Sequence, residues 1–349
     1  MKKEHILVIR FSAMGDVAMV VPVVWSLAQQ YPNVRITVLS RSFARPLFED
    51  LAPNIGFMAA DLKHEYHGIK GLNALYRRLA AKQFTAIADL HNVLRSEYLR
   101  MRFNMGHYRV AHVNKHRKGR RKITSTSSKQ LTQQPTSFQN YADVFQRLGY
   151  PVDIRFKSIF PEGGGDLGLL PAPMNVKNAT EQWIGIAPFA AHEGKTYPPR
   201  LMQQVIGQLV EKHAGCRIFL FGRGQQEEHY FTEWSQQYEA CINAGRYLDS
   251  LHQELILMSH LDVMISMDSS NMHLASLTGT PVISVWGATH PYAGFMGWGQ
   301  TEENAVQTDL ECRPCSIYGQ KPCLRGDYAC MTRIAPEAII AKTEHILSY

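Results

Sequence analysis

The feature that most limits the fold is an alternation. Short apolar runs rich in β-branched residues alternate with longer stretches of helical pattern, and the alternation runs twice. HILVIRF (5–11) reads as a buried strand, and DVAMVVPVVWSLAQQYP (16–32) as a helix with Pro22 in or near its early turns. VRITVLS (34–40) and FTAIADLH (84–91) are further strands, the latter followed by a helix around 93–105. Strand–helix alternation predicts right-handed βαβ units and a parallel sheet. The pattern pauses at PEGGGDLGLLPAPMNVKNATE (161–181), whose glycines and prolines read as an interdomain linker. It then restarts. WIGIAPF (183–189), CRIFLFG (216–222), DVMISMD (262–268) and PVISVWG (281–287) read as strands. PPRLMQQVIGQLVEKH (198–213), EEHYFTEWSQQYEA (227–240), LDSLHQELILMSHL (248–261) and SSNMHLASLTG (269–279) read as helices between and after them.

The expected architecture is therefore α/β, with two doubly wound domains of about 150–180 residues, a size each core can sustain. Their bounds fall at 1–160 and 182–332, with 161–181 between them. Ligands of such sheets bind at the carboxyl ends of the strands, which points to the cleft between the domains.

Charge is distributed unevenly. The formal net charge is +7, yet no Asp or Glu occurs between Glu97 and Asp143, a stretch holding ten Lys or Arg. Setting those ten aside from the 37 basic residues leaves 27 against 30 acidic ones. The chain is a near-neutral body carrying one basic segment, densest at KHRKGRRK (115–122). Such a segment is a solvated surface or a collector of phosphates, acidic sugars, nucleic acid or anionic lipid. No nucleic-acid recognition motif accompanies it, so nucleic acid is not the expected partner. The apolar run after MKKEH is broken by Arg10, Ser12, Gly15 and Asp16, unlike a secretory signal. No stretch approaches the roughly 18 apolar residues of a membrane span. A cytoplasmic protein is expected.

Two nucleotide-site patterns fail on context. GGGDLG (163–168) has dinucleotide-loop spacing but lies in the linker. GKT (194–196) resembles the end of a P-loop, but Phe189 stands where its first glycine belongs. FGRGQQE (221–227) lies between strand and helix with Glu227 in the third glycine position, so a dehydrogenase is weakly supported.

Three stretches carry better chemistry. In RFSAMGD (10–16) a strand ends in a small loop that delivers Asp16, either as a helix cap or as a reactive carboxylate. In DVMISMDSSNMHLASLTG (262–279) a strand ends at Met267, and Asp268, Ser269, Ser270 and Asn271 open a helix with His273 in its first turn or so. These are good capping residues, and the same geometry aims free backbone N–H groups at an anion. Lys195, in the loop after the strand at 183–189, is the natural cationic partner. No D-x-D pair exists for a diphosphate-bound metal, so a diphosphate would be balanced by Lys195 and helix N-termini. Cys312, Cys315, Cys323 and Cys330 form a C-terminal cluster. Four thiolates could take zinc, but the spacing is neither a ribbon nor a finger, and zinc is not favoured. Cys216 and Cys241 sit in strand-like contexts and read as core.

Together ILVIRFSAMGDVAMVVPVVWSL, GIAPFAAHEGKTYPP and DVMISMDSSNMHLASLTGTPVISVWG resemble the family 9 glycosyltransferases, the heptosyltransferases of lipopolysaccharide core assembly in Gram-negative bacteria. The ECRPC…PC…ACMTRIAPEAI tail is similar to one found in many of them. The resemblance implies a GT-B fold with an acceptor-binding first domain and a nucleotide-sugar-binding second domain. It implies an inverting, metal-independent transfer of heptose or a related sugar from an ADP-sugar to an anionic inner-core acceptor, at or near the cytoplasmic face of the inner membrane. The helix within 333–349 would cross back onto the first domain.

Carried over by position, Asp16 falls on the general base. Lys195 meets the donor phosphates, Asp268 holds sugar hydroxyls, and Ser269, Ser270 and Asn271 supply the helix opening beneath the diphosphate, with His273 beside it. Gly222 and Gly224 fall on the donor side. Ser12, Gly15, Arg95, Lys115, Arg117 and Lys118 fall on the acceptor side. Ala190 and Ala191 stand where relatives often carry hydroxyls, so contacts there would be backbone ones. Two alternatives remain at this stage: a non-catalytic nucleotide or nucleic-acid binding protein, and a nucleotide-sugar epimerase of related fold.

Overall fold

The computed structural model describes residues 4–348. They form two compact units, one comprising the chain up to Lys115 plus Pro135–Ile159, the other His116–Gln134 plus everything from Phe160 onward.

Unit one begins with β1 (His5–Ile9), every residue of which is buried. Strands of a parallel sheet are covered on both faces, which is why HILVI is apolar throughout and not alternating. The next stretch is not one helix but two, α1 (Met14–Ala18) and α2 (Val21–Gln30). Pro22 is the reason: it lacks an N–H, and its ring collides with the carbonyl four residues back, that of Ala18, where α1 ends. Then follow β2 (Arg35–Ser40), β3 (Ile55–Ala59), α3 (Gly68–Ala80), β4 (Ala86–Asp89), α4 (Leu94–Met105) and β5 (Arg109–His112). The strands pair in parallel in the order β3-β2-β1-β4-β5. The chain winds outward from β1 through β2 and β3, then returns to β4 on the other side of β1. The winding direction therefore reverses between β1 and β4, and the loops leaving those two strands flank the sheet's switch point.

At Lys115 the chain leaves unit one. Residues 116–134, with α5 (Arg117–Ile123), pack into unit two, and α6 (Ser137–Arg147) returns to unit one. The basic KHRKGRRK segment is thus not a loose solvated loop. Arg120 is buried with its guanidinium 4.3 Å from the centroid of the Phe295 ring. The Gln134 N–H donates to the Tyr292 carbonyl.

The Gly/Pro-rich stretch also belongs to unit two and is tied down. The Gly165 N–H donates to Ser259 Oγ, Gln253 donates to the Leu169 carbonyl, and Lys177 Nζ lies 2.8 Å from the Asp262 carboxylate. Unit two continues with β6 (Trp183–Ala187), α7 (Pro199–Lys212), β7 (Arg217–Leu220), α8 (Gln225–Gln237), β8 (Cys241–Asn243) and α9 (Leu251–Ser259). It ends with β9 (Val263–Met267), α10 (Ser270–Leu277), β10 (Val282–Trp286), β11 (Ala305–Gln307), α11 (Ala329–Thr332) and α12 (Pro336–Leu347). The order β11-β10-β9-β6-β7-β8 reverses between β6 and β9, so the loops after those strands flank the second switch point.

Cys216 and Cys241 lie in the unit-two core, as their strand-like context suggests. The C-terminal helix α12 packs on α7 and β9, with Lys212–Glu344 and Gln208–Glu337 contacts along it. That berth is within unit two.

Candidate active site

In unit one the two switch-point loops are joined by one side chain. Arg10, the first residue after β1, is buried in unit one, and its guanidinium forks. One nitrogen donates to the Leu90 carbonyl after β4 at 2.8 Å, and another lies 2.6 Å from Asp16 Oδ2. The Asp16 side chain is 28% exposed, against 8% for Arg10. Its Oδ2 also accepts the Ala13 N–H, which anchors the first turn of α1. A planar guanidinium matches this double task, since it offers several donors in a fixed fork.

Beneath this pair lies His91, a residue that sequence reasoning passed over. Its Nδ1 accepts the Phe11 N–H, which puts the ring proton on Nε2. Burial, followed by the positive charges of Arg10 and Lys115, pushes its pKa down to about 3, with Asp16 opposing and Arg95 adding to the fall. The imidazole is therefore neutral at any physiological pH. The same interactions show that Arg10, Asp16, His91, Arg95 and Lys115 share one neighbourhood. The β4 loop that carries His91 is itself braced: Asp89 accepts the His91 and Asn92 N–H groups and pairs with Arg100 at 3.2 Å. Ser12 belongs to the loop after β1 and Gly15 to the first turn of α1, both in this unit. Arg117 and Lys118 are exposed on α5 and fall in unit two.

In unit two the equivalent position, after β9, holds Asp268. It is buried, accepts a hydrogen bond from the Thr289 hydroxyl at 2.8 Å and lies 3.1 Å from Lys195 Nζ. Ser269 is the N-cap of α10, yet its hydroxyl makes no capping bond; it sits 3.3 Å from Ser266 Oγ instead. Simple capping thus does not account for the Asp-Ser-Ser-Asn opening, and the first backbone N–H groups of α10 are left to an external acceptor. His273 is buried on α10.

Lys195 is held by the loops around it. The Ala288 N–H donates to the Gly194 carbonyl; a Cβ on Gly287 would collide with that carbonyl, and one on Gly194 with the Ala288 side chain. The Lys195 stem lies against Gly319, whose φ of +83° and lack of a side chain make room for it. The Ala190 N–H donates to Thr196 Oγ1, so that backbone group is already used within the loop. Gly222 backs onto Glu227 at the start of α8. Burial raises the pKa of the Glu227 carboxyl, with the Arg223 backbone amide opposing. Gly224 is the N-cap of α8. Among the described residues no three His, Cys, Asp or Glu side chains are grouped to hold a metal ion, the C-terminal cysteines included.

The glycosyltransferase family 9 (heptosyltransferase) pattern matches residues 72–323. The chain belongs to that family and is a glycosyltransferase. Along 98% of its length it is 23% identical to the lipopolysaccharide core heptosyltransferase OpsX of Haemophilus influenzae, covering 97% of that protein. Its fold matches that of a family 9 glycosyltransferase from Veillonella parvula, with a TM-score of 0.73, 19% identity, and 100% and 98% of the two chains covered. It also matches E. coli heptosyltransferase WaaC with ADP, with a TM-score of 0.65, 16% identity, and 98% and 99% covered. The family 9 glycosyltransferase has the GT-B type of fold: two Rossmann-like units, each with one parallel sheet.

Proposed function

We propose that this family 9 glycosyltransferase transfers heptose, or a closely related sugar, from an ADP-sugar to the inner core of lipopolysaccharide, with inversion and without a metal ion. The observation carrying this reading is that the switch points hold complementary chemistry. Unit one offers a partly exposed carboxylate steered by an arginine. Unit two offers a lysine beside an uncapped helix opening. A carboxylate can take a proton from an acceptor hydroxyl, and a cation with backbone amides can take a diphosphate.

In the proposed reaction the acceptor hydroxyl attacks the anomeric carbon from the face opposite the diphosphate. Its proton passes to Asp16, help worth about 10²–10⁴-fold. Arg10 keeps that carboxylate oriented through the attack. As the glycosidic bond to the diphosphate breaks, charge grows on the leaving oxygen. Lys195 and the α10 amides at Ser270 and Asn271 stabilise it, each such donor contributing on the order of 3 kcal/mol. Asp268, fixed by Thr289 and Lys195, is placed for a sugar hydroxyl, with His273 behind it. Gly222, Gly224 and the adjacent Glu227 would take the nucleoside end. Arg95 and Lys115 suit an anionic acceptor.

Contact with the cytoplasmic face of the inner membrane is part of the proposal. Among the described residues no helix is long and apolar enough to cross a membrane. Leu94, 85% exposed, and Met105, 72% exposed, lie with Met101 on the outward face of α4, flanked by Arg95 and Arg102. Apolar side chains beside arginines suit an anionic lipid surface.

The test is direct. Purified enzyme is given ADP-heptose and a core acceptor, with and without EDTA, and the product's anomeric configuration is read by NMR. Inverted product formed equally in EDTA is expected. Transfer that needs a divalent ion, or a preference for another nucleotide sugar, would break the corresponding part of the proposal. A new epimer formed from donor alone would replace it.

A further inference from the structure

The ECRPC stretch (311–315) has no part in the transfer just described, yet its arginine reaches the donor site from behind. Three successive carbonyls in the loop after β10 are held by Arg313 and the residues that follow it. The Gly287 carbonyl accepts from Arg313 Nε, the Ala288 carbonyl from the Cys315 and Ser316 N–H groups, and the Thr289 carbonyl from Arg313 Nη2 at 3.0 Å. The same guanidinium extends to the end of β11. Its Nη1 donates to the Thr308 carbonyl at 2.7 Å, and Nη2 donates to Gln307 Oε1 at 2.9 Å. Because β10 and β11 are parallel neighbours, one planar group spans the carboxyl ends of two strands.

This is an expensive way to hold a loop. Arg313 is 6% exposed, and its four acceptors are three backbone carbonyls and one amide oxygen, all uncharged. A guanidinium stays protonated, so unit two keeps a buried positive charge with no carboxylate among those partners. Loop carbonyls are ordinarily satisfied by water or by neighbouring N–H groups. What the guanidinium adds is direction, since its donors lie in one rigid plane and fix their acceptors relative to each other.

Clamped on its carbonyl side, the loop presents its other groups to the donor site. The Ala288 N–H donates to the Gly194 carbonyl beside Lys195, and the Thr289 hydroxyl donates to Asp268 at 2.8 Å. Lys195 and Asp268 therefore hang on consecutive peptide units whose orientation is set by the clamp. The clamp is itself anchored. The Arg313 N–H donates to the Leu310 carbonyl at 2.8 Å, and Lys129 Nζ donates to the Glu311 and Arg313 carbonyls at 2.7 and 2.9 Å. Ser316, fully buried, accepts the Gly319 N–H at 2.9 Å, and Gly319 backs the Lys195 stem.

We propose that Arg313 is a positioning residue for the sugar donor: by fixing residues 287–289 it sets where Lys195 and Asp268 stand. The proposal rests on the donor-site reading above. Arg313 acts through geometry and not through its charge. A displacement of about 1 Å in a reacting constellation can cost on the order of 10²-fold, so a loop that carries two such groups needs a rigid backing. Lysine at this position would keep the charge, but one nitrogen on a flexible stem cannot serve Gly287, Thr289 and Thr308 from a single plane.

The experiment uses the full-length protein, with ADP as the calorimetric probe and ADP-heptose plus a core acceptor for turnover. Arg313→Lys should weaken ADP binding and raise donor KM by about tenfold, with acceptor KM unchanged. Hydrogen exchange should quicken at the Ala288 amide while amides within β6 keep their wild-type rates. Ile206→Val, which opens a small void in the unit-two core, is the control for stability alone: it should lower Tm and leave ADP affinity unchanged. Thr289→Val tests the route. In that background Arg313→Lys should cost less than about threefold in ADP affinity, because one of its two links is already cut. Wild-type ADP affinity in Arg313→Lys, an unchanged Ala288 amide, or strictly additive losses in the double variant would overturn the proposal. If Arg313→Lys yields little folded protein, Gln307→Leu frees the guanidinium from its side-chain partner and should weaken ADP binding several-fold; unchanged affinity there also overturns it. The two readings fail differently. Wild-type ADP binding by Lys195→Ala would remove the donor reading and this proposal with it. Weak binding by Lys195→Ala beside wild-type binding by Arg313→Lys would remove the proposal alone.

Discussion

Both switch points end in an aspartate beside a cation, and the two pairs are built differently. In unit one Arg10 is buried and Asp16 is 28% exposed. The cation is the fixed partner, because its second hydrogen bond goes to the Leu90 backbone. In unit two the carboxylate is the fixed partner: Asp268 is 8% exposed, held by Thr289, and Lys195 reaches it from a loop 3.1 Å away. The difference suits the roles proposed for the two sites. A carboxylate that must accept a proton needs one side open to a hydroxyl, and a guanidinium that never gives up its own proton is the safe brace for it. A cation that must meet a diphosphate needs a flexible stem, and under the proposed function the buried carboxylate would park it until the diphosphate arrives. The resting pair then also avoids an unpaired buried charge, which would be costly.

The sharpest way to break this comparison is to remove the exposed carboxylate. Asp16→Ala should lower kcat by about 10²–10⁴-fold with little change in the KM for donor. A loss under tenfold would show that Asp16 is not the base. Lys195→Ala comes next, with a loss of about 10²-fold in kcat/KM and weaker ADP binding by calorimetry. It also strands Asp268, so a fall in Tm should accompany it. Asp16→Ala likewise takes the carboxylate from a buried partner, Arg10, but leaves that guanidinium its bond to the Leu90 carbonyl, so a fall in Tm should accompany this variant too. Thr289→Val removes one hydrogen bond to a charged group, worth about 1.5–3 kcal/mol, and should raise donor KM by about tenfold or more with kcat less affected. Arg10→Lys retains the charge but cannot serve Leu90 and Asp16 with the same fork, so a kcat loss of about tenfold or less with donor KM unchanged is expected. A donor KM effect would mean that Arg10 acts beyond unit one's own loop.

How much of this was legible beforehand depends on burial. The strands read correctly from the chain are β1, β2, β4, β6, β7, β9 and β10, all inside their sheets. Of the other four, β3, β5 and β11 escape and β8 shows only as the strand-like context of Cys241; these four are the edges of the two sheets. An edge strand is covered on fewer sides, so RVAH, CIN and AVQ carry polar or charged residues, and IGFMA a glycine, where a central parallel strand has an unbroken apolar run. The site divides in the same way. Asp16, Lys195 and Asp268, the residues proposed for the site, stand in local patterns that the sequence displays. Arg10 reads from sequence only as the charge that ends an apolar run. Its purpose depends on Leu90, eighty residues away. His91 and Thr289 likewise act through partners from other strands, and the berth of residues 116–134 in unit two depends on contacts with Tyr292, Phe295 and Arg313.

The smallest effect tests the two units through acid stability. His91 in unit one is held neutral down to about pH 3, and His290 in unit two down to about 4, where burial dominates and the Arg313 charge adds to it. Both have an ordinary value of 6.5 once unfolded. A histidine with a depressed folded value binds its proton more readily in the unfolded chain. Its contribution to stability is therefore complete above about pH 6.5 and is lost as pH falls toward the folded value. Chemical denaturation from pH 7 to 4.5 should show stability falling with pH. His91→Gln and His290→Gln should each flatten that slope by up to about one proton, after allowing for any loss at pH 7. Each substitution should act on the unfolding of its own unit, so two resolved transitions would separate the contributions. If His91→Gln left the unit-one slope unchanged, the imidazole would not be the buried neutral brace that positions the Phe11 end of the loop leading to Asp16.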